Sequence, residues 1–280
     1  EQLVSLTFAQ NANLAEIGAY AFYGSYLSEL VLPDSVTTLG AMAFANCPLL
    51  ADVTISASLE NMGERVFLND TRLMRVEFRE GASVIGDYAF VALDGTQLMP
   101  MPYLAEVIIP ASVKAIGSYA FAGNTALTSI DLSGVVYIDS HAFYHTTSLT
   151  DVTLDEATSY IGVSAFEESA VENIDLSGVE YFDARSFYGT AIGNTDFTDA
   201  LEIGDDAFYN CLNISGTVRL PNVVQIYSGA FYVPTSSETG ATVTGNITAV
   251  ELGDSLVGLG GGAFLNSRIR SIHLPASLEI

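Results

Sequence analysis

Residues 27–47 read LSELVLPDSVTTLGAMAFANC, and this stretch combines two patterns that recur along the chain. The first is a short apolar segment, Leu27, Leu30 and Leu32, whose last two members are two positions apart and therefore share one face of a strand. The second places an apolar residue, a glycine and an Ala-Phe pair at constant spacing, ending at Phe44. Together they predict a strand, a turn and a return segment whose apolar side chains point back at the strand.

The Ala-Phe segment is the clearest mark of repetition. Eleven of the 15 phenylalanines stand in one position of the repeat, 21–23 residues apart except for two gaps of 31 and 33. These are Phe22, Phe44, Phe67, Phe90, Phe121, Phe143, Phe166, Phe187, Phe208, Phe231 and Phe264. A unit this short buries too little apolar surface alone, so it must stack on its neighbours, and each residue type then forms a column along the axis.

The repeats predict a single solenoid of about twelve coils over residues 1–280, interrupted by two insertions. The insertion near 91–103 is partly apolar, and we expect it to fold back on the solenoid. The insertion near 233–246 is polar, which favours an exposed loop or a small hairpin. Open solenoid ends expose core columns, so we expect either that this chain is an excerpt of a longer protein or that association covers an end.

A turn glycine stands four positions before the repeat phenylalanine in eight coils, and Asp139, Asp183 and Tyr227 replace it in the other three. Glycine and aspartate suit a turn with a positive φ, so the pattern predicts such a turn. Tyr227 does not fit that expectation.

The charge balance excludes several classes of partner. The chain has 33 acidic and nine basic residues, a net charge of −24 and a pI near 4.1. A surface of this sign repels nucleic acid and anionic lipid. The apolar runs are too short to span a membrane, and the mean hydropathy of +0.36 excludes a disordered chain. We therefore expect no nucleic-acid partner and no membrane insertion in this segment.

No catalytic constellation emerges from the motifs. Cys47 and Cys211 lie seven coils apart, too far for a disulfide, and we expect both to be free and buried. His141 and His145 lack the Glu or Cys that would complete a metal signature, and we interpret them as surface residues flanking Phe143. The sequence therefore predicts neither an enzyme nor a cofactor.

The stretches 27–47 and 104–121 resemble the BspA-type leucine-rich repeat, which also occurs in treponemal leucine-rich-repeat proteins. The resemblance covers nearly the whole chain. It implies an α/β repeat fold: a right-handed solenoid with a parallel β-sheet on its concave face and short helical or irregular convex segments. It also implies a secreted or surface-exposed, non-catalytic bacterial protein that adheres to a protein or glycan on a host or microbial surface. The alternative is a structural spacer that holds another domain away from the cell.

The outward positions of the strands are the candidate binding residues, because they should line the concave sheet. The acidic members are Glu29, Asp52, Glu77, Glu106, Asp131, Asp151, Glu172, Asp175, Asp196 and Glu251. Adjacent coils would bring Asp175 and Asp196 close enough to repel each other, so a cation such as Ca²⁺ is one possible compensation and solvation is the other. A column of tyrosines that follows the repeat phenylalanine either packs between coils or anchors a ligand. Its members are Tyr23, Tyr144, Tyr188, Tyr209 and Tyr232.

Overall fold

The computed structural model describes residues 3–9, 12–234 and 244–279, and over these ranges it contains β-strands and turns but no α-helix. The first strands are β1 Glu16–Ile17, β2 Glu29–Val31, β3 Thr38–Leu39, β4 Asp52–Ile55, β5 Asn61–Met62, β6 Arg75–Phe78, β7 Val84–Ile85, β8 Ala92–Asp94, β9 Gln97–Met99, β10 Glu106–Ile108 and β11 Ala115–Ile116. The others are β12 Ser129–Asp131, β13 Tyr137–Ile138, β14 Asp151–Thr153, β15 Tyr160–Ile161, β16 Tyr181–Phe182, β17 Glu202–Ile203, β18 Ser215–Leu220, β19 Gln225–Ile226, β20 Asn246–Leu252 and β21 Gly258–Leu259. The described ranges include no helix that is long and apolar enough to cross a membrane.

The strands form two faces, and both are parallel. The long-strand face consists of the sheets β10-β6-β4-β2, β12-β14 and β18-β20, which come from the leucine-containing strand signature. The short-strand face consists of β1-β3-β5 and an eight-stranded sheet from β7 to β21, built from pairs of residues that end five positions before the repeat phenylalanine. The predicted parallel repeat sheet is confirmed, and the short-strand face is a second parallel face that the sequence interpretation did not include.

The repeat phenylalanines form one continuous stack inside the solenoid. Successive ring centroids from Phe22 to Phe264 are 5.1–5.7 Å apart, with interplanar angles of 5–14°. The residues five positions earlier, such as Ile116 and Ile138, are also fully buried against them. This arrangement confirms the predicted column and gives one hydrophobic core that extends from Ile17 to Ala263.

The Ala-Phe segments are turns, so of the two expected kinds of convex segment, helical or irregular, the described residues form the irregular one. Their amides alternate in direction: Ala21 N–H bonds within its own coil to the Gly18 carbonyl, whereas Phe22 N–H bonds to the Ala43 carbonyl of the next coil. The residue two positions before the phenylalanine has a left-handed φ, as at Tyr20 (59°). An α-helix needs right-handed φ values and keeps its amides within one segment, so it cannot form here.

The prediction that the turn glycines adopt a positive φ is wrong, because none of them has one. A different constraint selects glycine here. The Gly40 amide donates to the Ile17 carbonyl of the preceding coil at 2.7 Å. A Cβ on Gly40 would lie 2.6 Å from the carbonyl carbon of Gly18, closer than real Cβ contacts. Close approach of two backbones therefore selects glycine at this position. Tyr227 makes the same bond to the Ile203 carbonyl at 2.8 Å, so this coil accommodates a side chain.

The first insertion folds back on the solenoid, as predicted. It forms the antiparallel hairpin β8–β9, whose turn includes Gly95 with a φ of 60°. Leu93 and Leu98 pack on a small cluster that contains Ala122, and Met101 is fully buried after the hairpin. Most of the second insertion, residues 235–243, lies outside the described part of the chain, so its predicted loop or hairpin stays a prediction.

Candidate functional site

The long-strand face arranges the predicted acids in two rows. Parallel pairing places Glu29, Asp52, Arg75 and Glu106 opposite one another in one row, and Asp151 pairs with Ser129 and with Asn173. The other row contains Glu77, Asp131 and Glu251. Asp175 and Asp196 stand at the matching positions of two coils that have no strand there. Glu172 lies one residue ahead of the first row. All ten are exposed except Glu77, which is half-buried.

Arg75 is the centre of a charge network on this face. Its guanidinium lies 2.7 Å from Glu77, 3.4 Å from Glu106 and 3.5 Å from Asp52. The hydrogen bond that Arg75 donates to Glu77 raises the pKa of Arg75 above its ordinary value. One cation on β6 thus connects acids of three adjacent strands, which reduces the repulsion among them.

Two further arginines neutralise acids nearby. Arg219 lies 2.8 Å from Glu251, and Arg79 lies 2.7 Å from Asp34. The hydrogen bond from Arg79 holds the pKa of Asp34 below its ordinary value. Part of the predicted acidic set is therefore compensated by the protein itself.

Asp151 is stabilised by neutral donors instead of a cation. Thr150 Oγ1 donates to it at 2.6 Å and the Asn173 amide donates at 2.9 Å. These two hydrogen bonds lower the pKa of Asp151. The carboxylate is thereby held charged and exposed at the centre of the face.

Asp175 and Asp196 line one open groove of about 440 Å³, together with Asn194 and Arg219. Each also closes its own turn, since Asp175 accepts from the Ser177 amide at 3.0 Å and Asp196 accepts from the Thr198 amide. Across the described ranges, no three His, Cys, Asp or Glu side chains are grouped to hold a metal ion. The calcium site stays a prediction.

The cysteines are buried and free, as predicted. Burial raises the pKa of the Cys47 thiol to about 11 and that of the Cys211 thiol to about 12. Both are therefore thiols at neutral pH, and neither has the character of a nucleophile.

His141 and His145 lie in different surroundings. The His141 ring stacks on Tyr119 at 4.3 Å and is half-buried, which corrects its assignment to the surface. Burial lowers the pKa of His141. His145 is exposed, and its Nδ1 lies 2.9 Å from Glu168.

In three coils, the tyrosines that follow the repeat phenylalanine pack against one another between coils. Tyr188 and Tyr209 stack with their centroids 4.5 Å apart, and Tyr232 meets Tyr209 edge-on at 5.1 Å. All three are half-buried. Of the two roles considered for this column, packing is the one that the geometry supports for these residues.

A second row of tyrosines was missed by the sequence interpretation. Tyr137, Tyr160 and Tyr181 are paired in register on the short-strand face, and their side chains point away from the core. The signal was present, because Tyr precedes the core Ile or Phe in three successive coils. It was not recognised because this position was not expected to belong to a sheet.

Comparison with known families decides the kind of repeat. The sequence profile of the BspA type Leucine rich repeat region (6 copies) matches residues 2–98, 100–215 and 201–280. This chain belongs to the BspA-type leucine-rich repeat family. No protein of curated function matches it.

Several solved structures are similar to this BspA-type chain. The Treponema pallidum leucine-rich repeat protein is 24% identical over 59% of this chain and 74% of its own, with a TM-score of 0.45. A leucine-rich repeat protein of Bacteroides ovatus is 17% identical over 100% and 89%, with a TM-score of 0.48. A leucine-rich cell surface protein of Faecalibacterium prausnitzii is 21% identical over 85% and 83%, with a TM-score of 0.39.

Proposed function

We propose that this chain is a non-catalytic bacterial adhesion module, secreted or displayed on the cell surface, which binds a protein partner of a host or a microbe. The observation that carries this proposal is the long-strand face itself, where nine of the ten predicted acids occupy the positions of two rows and all ten except the half-buried Glu77 are exposed. Strands hold seven of these ten side chains, whereas Glu172, Asp175 and Asp196 lie in segments without a strand. The strands of this face pair with neighbouring strands and pack on one core, so they present their side chains on a rigid support.

Apolar side chains in the same rows favour a protein over a small ion as the partner. Val31 and Ile108 flank Thr54 and Glu77 in one row, and they are 53% and 39% exposed. Protein interfaces combine apolar anchors with charged groups that direct the encounter. An acidic face of this kind suits a partner with a basic surface, and a glycan is the weaker alternative.

The structural spacer is the second candidate function. It is favoured by the arginines, because Arg75 and Arg219 already satisfy four of the ten acids without any partner. A spacer needs only solubility and stiffness from its surface, which an acidic solenoid has.

The test compares two variants of equal charge. The face variant combines Asp131→Asn, Asp151→Asn and Asp175→Asn; the control variant combines Glu60→Gln, Asp94→Asn and Asp254→Asn, which are exposed and lie outside the long-strand face. Binding to immobilised matrix proteins and to bacterial cells is measured for both. We expect the face variant to lose about tenfold in affinity and the control to stay within about twofold of the unmodified protein. Equal binding by all three proteins would support the spacer instead.

A further inference from the structure

The short-strand face contains a groove of about 200 Å³ lined by aromatic and acidic side chains. The rings of Tyr181 and Tyr227 border it, and they are 38% and 39% exposed. Asp183, Glu202 and Asp205 are its acidic members.

The shape of this groove comes from departures in the repeat. Asp183, Gly204 and Tyr227 occupy the turn-glycine position in three successive coils. At Gly204 the two backbones approach closely, because a Cβ on this residue would lie 2.6 Å from the Asp183 carbonyl carbon. The coil with glycine therefore forms a notch between a carboxylate on one side and a phenol ring on the other.

Tyr160, which precedes Tyr181 in the tyrosine row of the short-strand face, orients the Asp183 carboxylate at the side of the notch. Tyr160 donates a hydrogen bond from its hydroxyl to the Asp183 carboxylate. Asp205 is also positioned, since its Oδ1 accepts from the Ser228 amide at 2.9 Å. Both carboxylates keep further acceptor capacity on the solvent side.

Within the described ranges, no cationic side chain pairs with the acids of the notch. Among the residues that the structure describes, Asp183, Glu202 and Asp205 form no ion pair with Lys, Arg or His. Arg185, which is close in sequence, is engaged by Glu167 and lies over the Tyr188 ring. The contrast with Arg75 on the long-strand face is direct, because there the protein supplies the neutralising charge.

We propose that this notch binds an arginine side chain of a partner polypeptide. A guanidinium is planar, stacks on phenol rings and pairs with carboxylates through directed hydrogen bonds. The notch offers both kinds of contact, with Tyr181 and Tyr227 as rings and three carboxylates around them. This site is separate from the long-strand face, so it stands whether or not adhesion occurs there.

The experiment uses a fluorescein-labelled peptide in which arginine alternates with glycine, its lysine counterpart, and cellohexaose as a neutral glycan. Binding is measured by fluorescence anisotropy or calorimetry at about 0.15 M salt, where long-range attraction is screened. The notch variant combines Asp183→Asn, Glu202→Gln and Asp205→Asn, which keeps the hydrogen bonds accepted from Tyr160 and Ser228. The control variant of Glu60, Asp94 and Asp254 removes the same charge elsewhere.

We expect the arginine peptide to bind more tightly than the lysine peptide and the notch variant to lose about tenfold or more in affinity. The control variant should lose less than about threefold. Tyr181→Ala should weaken binding about fivefold while Tyr181→Phe leaves it unchanged, since the ring face is what the cation contacts. Equal losses in the notch and control variants would overturn the proposal in favour of general attraction to an acidic protein. Cellohexaose binding at the notch without peptide binding would overturn it in favour of a glycan site.

Discussion

At the scale of single residues, Asp70 is the group whose protonation most affects the core. It is fully buried, and its Oδ1 accepts from the Cys47 amide at 2.7 Å, while its Oδ2 has no partner among the residues that the structure describes. Burial raises the pKa of this carboxyl well above its usual value. Asn124 occupies the same place in its coil, three residues after the repeat phenylalanine, and its amide donates to the Phe90 and Phe121 carbonyls.

Asp70→Asn should stabilise the protein at neutral pH. The unfolded chain releases the Asp70 proton near pH 3.8, whereas the folded chain holds it to a higher pH, so stability falls as pH rises from 3.8 toward the folded pKa. The asparagine variant lacks this loss and can make the bonds seen at Asn124. We expect a gain of about 1–3 kcal/mol at pH 7 that disappears below pH 4.

The measurement is urea unfolding of the Asp70→Asn protein between pH 4 and pH 8. The exposed substitution Asp254→Asn is the control for the general effect of removing one negative charge. A difference between the two variants that does not change with pH would show that Asp70 is ionised in the folded protein.

At the scale of elements, the hairpin β8–β9 adds a layer over the turns. Leu93 and Leu98 cover a cluster of Ala45, Leu68, Val91 and Ala122 on the outer side of the Ala-Phe segments. The gap of 31 residues in the repeat is therefore an insertion that contributes packing.

Leu98→Ser should loosen this hairpin without unfolding the solenoid, because the cluster it covers is separate from the main core. We expect a loss of about 1–2 kcal/mol for a half-buried leucine. Limited proteolysis should show cleavage near Gly95 before any other site. Gln97→Ser, an exposed neighbour in the same strand, should leave both stability and the cleavage pattern unchanged. Identical behaviour of the two variants would mean that the hairpin is not held by this contact.

At the scale of the whole molecule, the dominant feature is a net charge of −24 with few cations to offset it. Arg75, Arg79 and Arg219 neutralise local groups of acids on or beside the long-strand face. Most carboxylates elsewhere are exposed, and their mutual repulsion opposes folding.

Salt should therefore stabilise the protein. Raising NaCl from about 0.01 to about 0.5 M shortens the Debye length from roughly 30 Å to a few Å, and we expect the Tm to rise by about 3–8 °C. The exposed ion pairs weaken at the same time, but each contributes at most about 1 kcal/mol. Differential scanning calorimetry in NaCl and in choline chloride, whose cation is larger, would separate screening from specific binding of sodium ions. A falling Tm would show that the arginine networks outweigh the repulsion.

Much of this architecture could be predicted from the amino-acid pattern, because the constant spacing of the repeat shows which residues of successive coils lie side by side. The same spacing in eleven coils placed every repeat phenylalanine in one column, and the ring stack from Phe22 to Phe264 has that order. The outward acids were identified for the same reason, since residues two apart on a strand share a face.

The tertiary structure decided what depends on contacts between coils. The turn glycines are selected by the backbone of the preceding coil, which no local pattern reveals. The amides that a helix would need within its own segment instead join adjacent coils. The notch between Asp183 and Tyr227 is likewise visible only when their coils are stacked. Composition and period set which residues are buried; the close approach of successive backbones set how the turns fold and which exposed side chains meet.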